Sequence, residues 1–228
     1  MTTSNRSLED LNKEVILCRR CPRLVAWREQ VGLEKRKAFR DENYWAKPVP
    51  GFGDHQAKVM ILGLAPGAHG SNRTGRMFTG DDSGKFLYRA LHKAGFANLA
   101  ESSTRDDSLV LSDIWITAVC RCVPPDNKPT RDEILNCRFF LKEELSWFHN
   151  LEGIVALGRI AFDNALVLTN RDRFSPGFGH GTFCASTGSK PWVLASYHPS
   201  RQNTQTRRLT ASMFDAVWME VRKLLELK

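Results

Sequence analysis

Four short apolar runs, each of which leads into a polar loop, constrain the fold of this chain more than any other feature. Val59–Leu64 and Ile154–Leu157 are continuous, and Leu109–Val119 and Pro191–Tyr197 contain two further strand candidates. Continuous apolar runs of this length are typical of strands that are buried on both faces. Because helical patterns alternate with these strands, the sequence predicts an α/β fold with a mainly parallel sheet covered on both sides.

Capping residues mark where several helices begin. Ser7 precedes a first helix, Thr130 and Glu133 form a capping box, and Thr210 starts a closing helix. The chain contains no internal repeat, low-complexity tract or linker, and 228 residues suffice for one sizeable core. We therefore predict a single domain over residues 1–228, with loops between the elements.

The charge balance allows a polyanionic partner without requiring one. Lysine and arginine total 33 against 25 acidic residues, which gives a formal net charge of +8. That charge is consistent with nucleic-acid binding or with a merely basic surface. Charged residues at 25% and hydrophobic residues at 42% exclude the disordered and membrane classes. Met1–Ser7 has no apolar core of a signal peptide, so we expect a cytoplasmic protein without membrane association.

Cysteine spacing suggests a metal centre. Cys18 and Cys21 form a CxxC pair, and Cys122 and Cys137 follow about 100 residues later. Four thiolates in two pairs suit either tetrahedral zinc or an iron-sulfur cluster. A redox dithiol is the simplest alternative, but this CxxC precedes every predicted strand instead of following the first. The other cysteines, Cys120 and Cys184, are predicted to pack in the interior, although the choice of Cys122 over Cys120 as a ligand rests partly on a family resemblance.

The loop after the first strand carries polar residues around one aromatic, Phe78. It does not match a nucleotide-binding loop, because Gly80–Lys85 is one spacer short and Phe86 stands where Ser or Thr would bind magnesium. An aromatic side chain among fixed polar groups can hold a planar base. The polar groups are Asn72, Arg73, Thr74, Asp81 and Asp82. In the alternative interpretation Phe78 belongs to the core and the aspartates cap a helix, Asp82 above all.

His198 follows the last predicted strand and should lie at the carboxyl edge of the sheet, near that loop. It is either a catalytic or a structural histidine.

Basic residues collect near the CxxC pair and the strand-end loops, where they could neutralise several phosphates if they share one face. They are Arg19, Arg20, Arg23, Arg73, Arg76, Arg121, Lys128, Arg201, Arg207 and Arg208.

Three segments taken together resemble the iron-sulfur uracil-DNA glycosylases of family 5, the type b branch. They are Gly63–Asp81, Cys122–Thr130 and His198–Asn203, in the order of that family. The resemblance covers nearly the whole chain. It implies a three-layer α/β/α fold with a short, mainly parallel central sheet. It also implies a monofunctional glycosylase of base-excision repair, which flips a damaged base out of DNA and hydrolyses its bond to the sugar.

The same resemblance implies the ligands and the site residues. A [4Fe-4S] cluster would bind Cys18, Cys21, Cys122 and Cys137, with the first two in an N-terminal helical segment. The catalytic residues would be Asp81, His198 and Asn127. The base would be contacted by Gly67, Ala68, Asn72, Phe78 and Ala118. DNA would be contacted by Arg73, Arg201, Gln202, Asn203 and Arg207.

Two positions depart from the wider superfamily and predict broad specificity. Leu64 replaces an acidic residue, and Ala118 replaces the asparagine with which uracil-strict members read the base. Loss of a bidentate amide relaxes discrimination, so we expect excision of uracil, hypoxanthine and some modified pyrimidines. Met77 also replaces a common proline.

The family further suggests a monomer in the prokaryotic cytosol or nucleoid. The alternatives are a catalytically silent, metal-containing nucleic-acid-binding module and a zinc protein.

Overall fold

A computed structural model describes residues 7–172 and 176–226, and these residues form a six-stranded sheet. Residues 1–6 lie outside the described residues. They form most of the segment from which we predicted that the chain has no signal peptide. The strand order is β1-β3-β2-β4-β6-β5. The four central strands are parallel, and the short edge strands pair antiparallel. The strands are β1 (Phe52–Gly53), β2 (Val59–Gly63), β3 (Ile114–Ala118), β4 (Gly153–Leu157), β5 (Phe183–Cys184) and β6 (Trp192–Ser196).

Helices fill the connections between the strands. They are α1 (Leu8–Leu17), α2 (Pro22–Glu34), α3 (Ser71–Thr74), α4 (Asp82–Lys93), α5 (Arg131–Trp147), α6 (Arg159–Leu168), α7 (Arg201–Gln205) and α8 (Ala211–Glu226). The sequence predicted the four central strands and the long helices. It missed β1, β5, α3 and α7, which are too short to carry a periodic pattern. Within the described residues, no helix is both long and apolar enough to cross a membrane.

The sheet separates two apolar cores, which confirms the predicted three-layer α/β/α architecture. Alternate residues of β2 point to opposite sides: Val59 and Ile61 join one core, and Met60 and Leu62 join the other. Helices α4 and α8 cover the first core, whereas α1, α5 and α6 cover the second. All five residues of each central strand are buried, as expected for a parallel sheet.

The predicted helix starts are also present. The side chain of Ser7 accepts a hydrogen bond from the Asp10 amide at 3.1 Å, and the Asp10 carboxylate completes a capping box. Thr130 accepts from the Glu133 amide at 3.3 Å in a second box. Thr210 accepts from the Met213 amide at 3.2 Å. Local sequence therefore fixes where these helices begin.

A buried carboxylate on α5 fixes that helix against the end of β3. Glu144 accepts hydrogen bonds from the Trp115 indole at 2.9 Å and from the Thr117 hydroxyl at 2.7 Å. It also pairs with Arg121, and both side chains are at most 2% exposed. Removing one partner of a buried ion pair leaves an uncompensated charge. Glu144 therefore holds the segment after β3, which continues into Cys122, under α5.

We expect Glu144→Ala to lower the free energy of unfolding by about 3–5 kcal/mol, because Arg121 would remain buried without its carboxylate. Glu143→Ala, one position earlier on the same helix, should change it by about 0.5 kcal/mol or less. Urea denaturation of both variants measures the difference. Equal effects would show that Glu144 contributes no more than an ordinary helix position.

Candidate active site

Three strand-end loops meet around one cavity at the carboxyl edge of the sheet. The cavity has a volume of about 820 Å³ and receives residues that follow β2, β3 and β6. Asp81, Phe78, Asn127 and His198 all line it, as does Ala118 at the end of β3. Open parallel sheets place ligands at this edge, and pockets of this size hold small organic groups. The sequence-based expectation that these loops converge therefore agrees with the structure.

Asp81 is held at the N-terminus of α4. One carboxylate oxygen accepts from the Gly84 amide at 2.9 Å, so Asp81 is the N-cap and the predicted preference for Asp82 was wrong. The other oxygen lies against Gly70 and Gly67, where an added Cβ would approach it to 2.0 Å and 2.9 Å. Burial raises the pKa of Asp81, and the Gly84 hydrogen bond opposes that shift. A fixed carboxylate thus faces the cavity.

Phe78 and His198 form an aromatic wall of the cavity. Their ring centroids are 5.9 Å apart and their planes differ by 28°. Phe78 has a φ of +52° and its amide donates to the Ser71 hydroxyl at 3.0 Å. Its ring also packs on Gly63 within the first core. The two interpretations of Phe78, core residue and cavity residue, are therefore both correct.

Burial lowers the pKa of His198 to about 4. The imidazole is consequently neutral at physiological pH and can donate one ring N–H without carrying a charge. The Asn203 side chain donates to the His198 carbonyl at 2.8 Å and fixes this backbone position. A Cβ added at Gly158, just after β4, would lie 3.5 Å from the His198 Cβ, so the two residues are neighbours. His198 is thus a neutral imidazole on a backbone that is held in place at the carboxyl edge of the sheet.

Asn127 reaches the cavity through an unusual turn. Asp126 and Asn127 have φ values of +52° and +56°, in the left-handed region that side chains other than glycine rarely adopt. The Asn127 amide donates to the Pro124 carbonyl at 3.2 Å. Asp and Asn adopt this region more readily than other non-glycine residues. The turn places the exposed Asn127 at the lining of the cavity.

The floor of the cavity is apolar, and its side offers backbone donors. Ala118 is buried at the end of β3, and Leu64 lines the same cavity. Neither side chain can hydrogen-bond a ligand. Gly67 and Ala68 also line the cavity, and within the described residues their amides donate to no other group. These amides are available for an acceptor in the cavity.

The four predicted thiols line a second, smaller pocket. Cys18 ends α1, Cys21 precedes α2, Cys122 follows β3, and Cys137 lies on α5. The rest of the wall is mixed: Leu24, Val25, Pro48 and Phe140 are apolar, and Arg20, Arg121, Glu133 and Asn136 also line the pocket. In residues 7–172 and 176–226, no three candidate ligands already surround one point as they would around a metal ion. Cys120 and Cys184 are buried in the second core, as predicted.

The groups around this pocket fit anionic sulfur. The Arg28 guanidinium is 2% exposed and donates to the Cys122 sulfur at 3.1 Å, while its Nε has no hydrogen-bond partner. The Arg121 amide donates to the Cys137 sulfur at 3.3 Å. Arg28 also lies 3.6 Å from the partly exposed Glu29 carboxylate, and a cation this deeply buried is stabilised further by negative charge on the side of the pocket. Four thiolates bound to a metal centre supply that charge, so the donor set fits such a group.

Comparison with known proteins identifies the family. The family model of the uracil DNA glycosylase superfamily matches residues 50–222. The chain is 52% identical over 207 residues to a Type-5 uracil-DNA glycosylase of Thermus thermophilus, covering 91% of this chain and 93% of that protein. It is 48% identical over 220 residues to one of Mycobacterium bovis, covering 96% and 82%. This chain belongs to the uracil-DNA glycosylase superfamily. A Type-4 uracil-DNA glycosylase of Archaeoglobus fulgidus is 30% identical over 202 residues, covering 85% of this chain and 82% of that protein. The chain is more similar to the type-5 relatives than to this type-4 relative, which confirms the predicted type-5 branch.

Two residues of this superfamily member that were predicted to contact the base or DNA do not line the cavity. Asn72 is fully buried, and its side chain donates to the Arg28 carbonyl at 3.3 Å, so it does not line the cavity. Arg73 is 7% exposed and donates to the carbonyls of His69 at 2.8 Å and Gly80 at 3.0 Å. Arg73 supports the loop instead of facing a ligand. Its side chain is therefore buried instead of being presented for the predicted contact with DNA, and nothing in the sequence indicates that burial.

The loop after His198 divides into anchoring and exposed residues. It contains α7, whose first turn is capped by the Ser200 side chain. Arg201 and Gln202 are exposed and line the cavity, whereas Asn203 is engaged with His198. Arg207 is exposed outside the cavity lining. Among the described residues the Gln202 side chain forms no hydrogen bond, so of Gln202 and Asn203 it is the one available to contact nucleic acid.

The sequence analysis overlooked two residues of the cavity in this superfamily member. Arg36 and Phe39 come from the segment after α2 and line the same cavity as Asp81. They lie far from every motif in sequence, and the three-residue helix at Lys37–Phe39 has no periodic pattern. The feature of the sequence that could have pointed to this segment is its run of lysine and arginine residues.

We expect the His198 ring to remain neutral until the pH approaches 4. Its folded-state pKa lies below the ordinary value of 6.5, so its contribution to stability is present above about 6.5 and is lost as the pH falls through about 4. Ring chemical shifts in NMR spectra, assigned with a His198→Gln variant, follow this titration. A midpoint near 6.5 would contradict the burial of the ring.

Proposed function

We propose that this protein is a monofunctional DNA glycosylase of base-excision repair that removes uracil from DNA and leaves an abasic site. The observation that carries the proposal is the meeting of Asp81 and His198 at one cavity beside the Phe78 ring. The names of the type-5 relatives support the same activity. The net charge of +8 suits a DNA substrate.

The base must first leave the duplex. Flipping costs a few kcal/mol, and less for a mispaired base, because stacking and pairing are lost. The cavity of about 820 Å³ accommodates the flipped nucleotide. Phe78 contacts the base, while the amides of Gly67 and Ala68 and the ring N–H of His198 face its carbonyl oxygens. Arg201 holds a phosphate and Gln202 fills the space that the base vacates.

Hydrolysis breaks the bond between C1′ of the sugar and N1 of uracil. The electron pair of that bond moves to the base, and positive charge develops on the sugar. Donors that are already in position stabilise the negative oxygen of the base, which is the function we assign to His198. The Asp81 carboxylate stabilises the sugar cation. A water held with the help of Asn127 adds to C1′, and its proton is released to the base.

Excision from a duplex that carries one uracil tests this proposal. The intact protein should yield strand scission after alkali. Asp81→Asn retains a cap for α4 but loses the charge, so we expect about 100-fold or slower excision, and a similar loss for His198→Gln. Asp106→Asn, an exposed position outside the cavity, is the control.

No scission by the intact protein would refute glycosylase activity on uracil. If such a protein still bound DNA, it would be the silent nucleic-acid-binding module. Unchanged rates in both active-site variants would show that Asp81 and His198 are misassigned.

We further propose that Cys18, Cys21, Cys122 and Cys137 hold a [4Fe-4S] cluster. When bound, the cluster would cross-link α1, α2, α5 and the segment after β3. The buried Arg28 and the Arg121 amide donate to its sulfur ligands and balance their charge. These contacts support a cluster or a zinc ion alike. The resemblance to iron-sulfur glycosylases favours the cluster.

Anaerobically purified protein should be brown and contain about four iron and four sulfide atoms per chain. Cys137→Ser should lose most of the iron because one ligand is removed. Cys184→Ser, a buried cysteine on β5, should keep it. Metal analysis and visible absorption measure both. Colourless protein that contains zinc would overturn the cluster proposal.

The apolar cavity floor supports a broad range of bases. We propose that deaminated purines such as hypoxanthine and some modified pyrimidines are also excised, because Ala118 and Leu64 impose no hydrogen-bond requirement. Ala118→Asn should raise the ratio of uracil to hypoxanthine excision by about tenfold. Ala94→Asn, at the far end of α4, is the control. An unchanged ratio in Ala118→Asn would contradict this account of specificity.

A further inference from the structure

The six residues that follow α2 contain four cations. Lys35, Arg36, Lys37 and Arg40 carry them, and we call this stretch the 35–40 segment. The side chains of Arg36, Lys37 and Arg40 are exposed, whereas Lys35 is half-buried. Short runs rich in lysine and arginine are typical of nucleic-acid-binding surfaces.

Acidic side chains among the described residues do not neutralise the positive charge of the segment. Within the described residues, none of the four cations forms an ion pair. Lys35 instead donates to the Arg40 carbonyl at 3.2 Å, which closes the segment on itself. Of the neighbouring carboxylates, Glu42 pairs with Arg73 and Glu34 accepts from Gln30 at 2.7 Å. Asp41 is exposed.

The segment is fastened to the rim of the cavity. Arg36 and Phe39 line the cavity itself. The Phe39 ring covers the Arg73 guanidinium, with 4.0 Å between the Arg73 Cζ and the ring centroid. The hydroxyl of Tyr44 lies 3.0 Å from His69 Nδ1 and accepts from the Arg36 amide at 3.4 Å. These contacts give the segment a defined position beside the nucleotide site.

Arg73 joins this segment to the loop that presents Asp81. The same guanidinium that lies under Phe39 and pairs with Glu42 also binds the carbonyls of His69 and Gly80. Gly80 directly precedes Asp81 in the chain. Arg73 therefore links the segment to the residue that directly precedes Asp81.

We propose that the 35–40 segment is a phosphate-binding surface for the DNA backbone, in addition to Arg201 on α7. Arg36, Lys37 and Arg40 contact phosphates next to the flipped nucleotide, because Arg36 borders the cavity that receives the base. Each neutralised phosphate releases counterions, so the contacts contribute a salt-dependent part of the affinity. The inference rests on the proposed glycosylase function, since it takes DNA as the ligand.

The test compares two full-length triple variants that lose the same charge. One carries Arg36→Gln, Lys37→Gln and Arg40→Gln. The control carries Lys13→Gln, Lys142→Gln and Lys223→Gln, at exposed positions on α1, α5 and α8, helices that contribute nothing to the cavity lining. The probe is a short duplex with one 2′-fluoro-deoxyuridine, whose glycosidic bond resists cleavage. Its Kd is measured over a range of sodium chloride concentrations.

We expect the slope of log Kd against log salt concentration to fall by about 2.7 in the first variant, or about 0.9 for each lost phosphate contact, and to stay unchanged in the control. Affinity of the first variant should fall about tenfold or more at low salt. An unchanged slope in the first variant, or an equal fall in both, would overturn the proposal, the latter because net charge alone would explain it.

Uracil excision by the intact protein is measured in parallel. A protein that excises no uracil but shows the selective change in slope would retain this DNA surface while the glycosylase proposal fails. The two inferences therefore fail separately.

Discussion

The close packing of the Asp81 carboxylate on the loop after β2 is the constraint on which the rest of the site depends. One oxygen caps α4 through Gly84, and the other lies where any side chain at Gly70 would collide with it. Arg73 then ties the two ends of the loop together through the carbonyls of His69 and Gly80. The loop is thus fixed by contacts within itself before any substrate binds. Such pre-organisation is what electrostatic stabilisation of a transition state requires.

Buried charges connect this site to the thiol pocket. Arg121 follows β3, pairs with Glu144 and presents its amide to Cys137. Asn72, from the loop after β2, donates to the backbone of Arg28, whose guanidinium faces Cys122. A group bound by the four thiols would therefore stabilise both loops that carry the cavity. In this arrangement the thiol pocket lies beside the cavity, and its cysteines do not line the cavity itself.

Sequence patterns predicted the periodic strands and helices and the helix caps. They missed residues whose position depends on one contact between distant segments. Buried apolar runs and capping boxes yielded the central strands and the long helices, because both signals are local. The carboxyl edge of a parallel sheet then placed Asp81 and His198 together. Asn72 and Arg73 were misplaced because nothing in their neighbourhood reveals burial. Arg36 and Phe39 were missed because they reach the cavity from outside every βα unit.

The sequence by itself determined the layered α/β fold, the thiol spacing and the family, since periodicity and motif order are properties of the chain. Only the tertiary structure decided which polar residues face the cavity and which support it. Arg73 and Arg201 are the same residue type in similar loops, yet one is buried under Phe39 and the other is exposed on α7. The difference arises from packing between segments that are distant in sequence. Burial, hydrogen-bond partners and pKa are set by those neighbours, which no local pattern specifies.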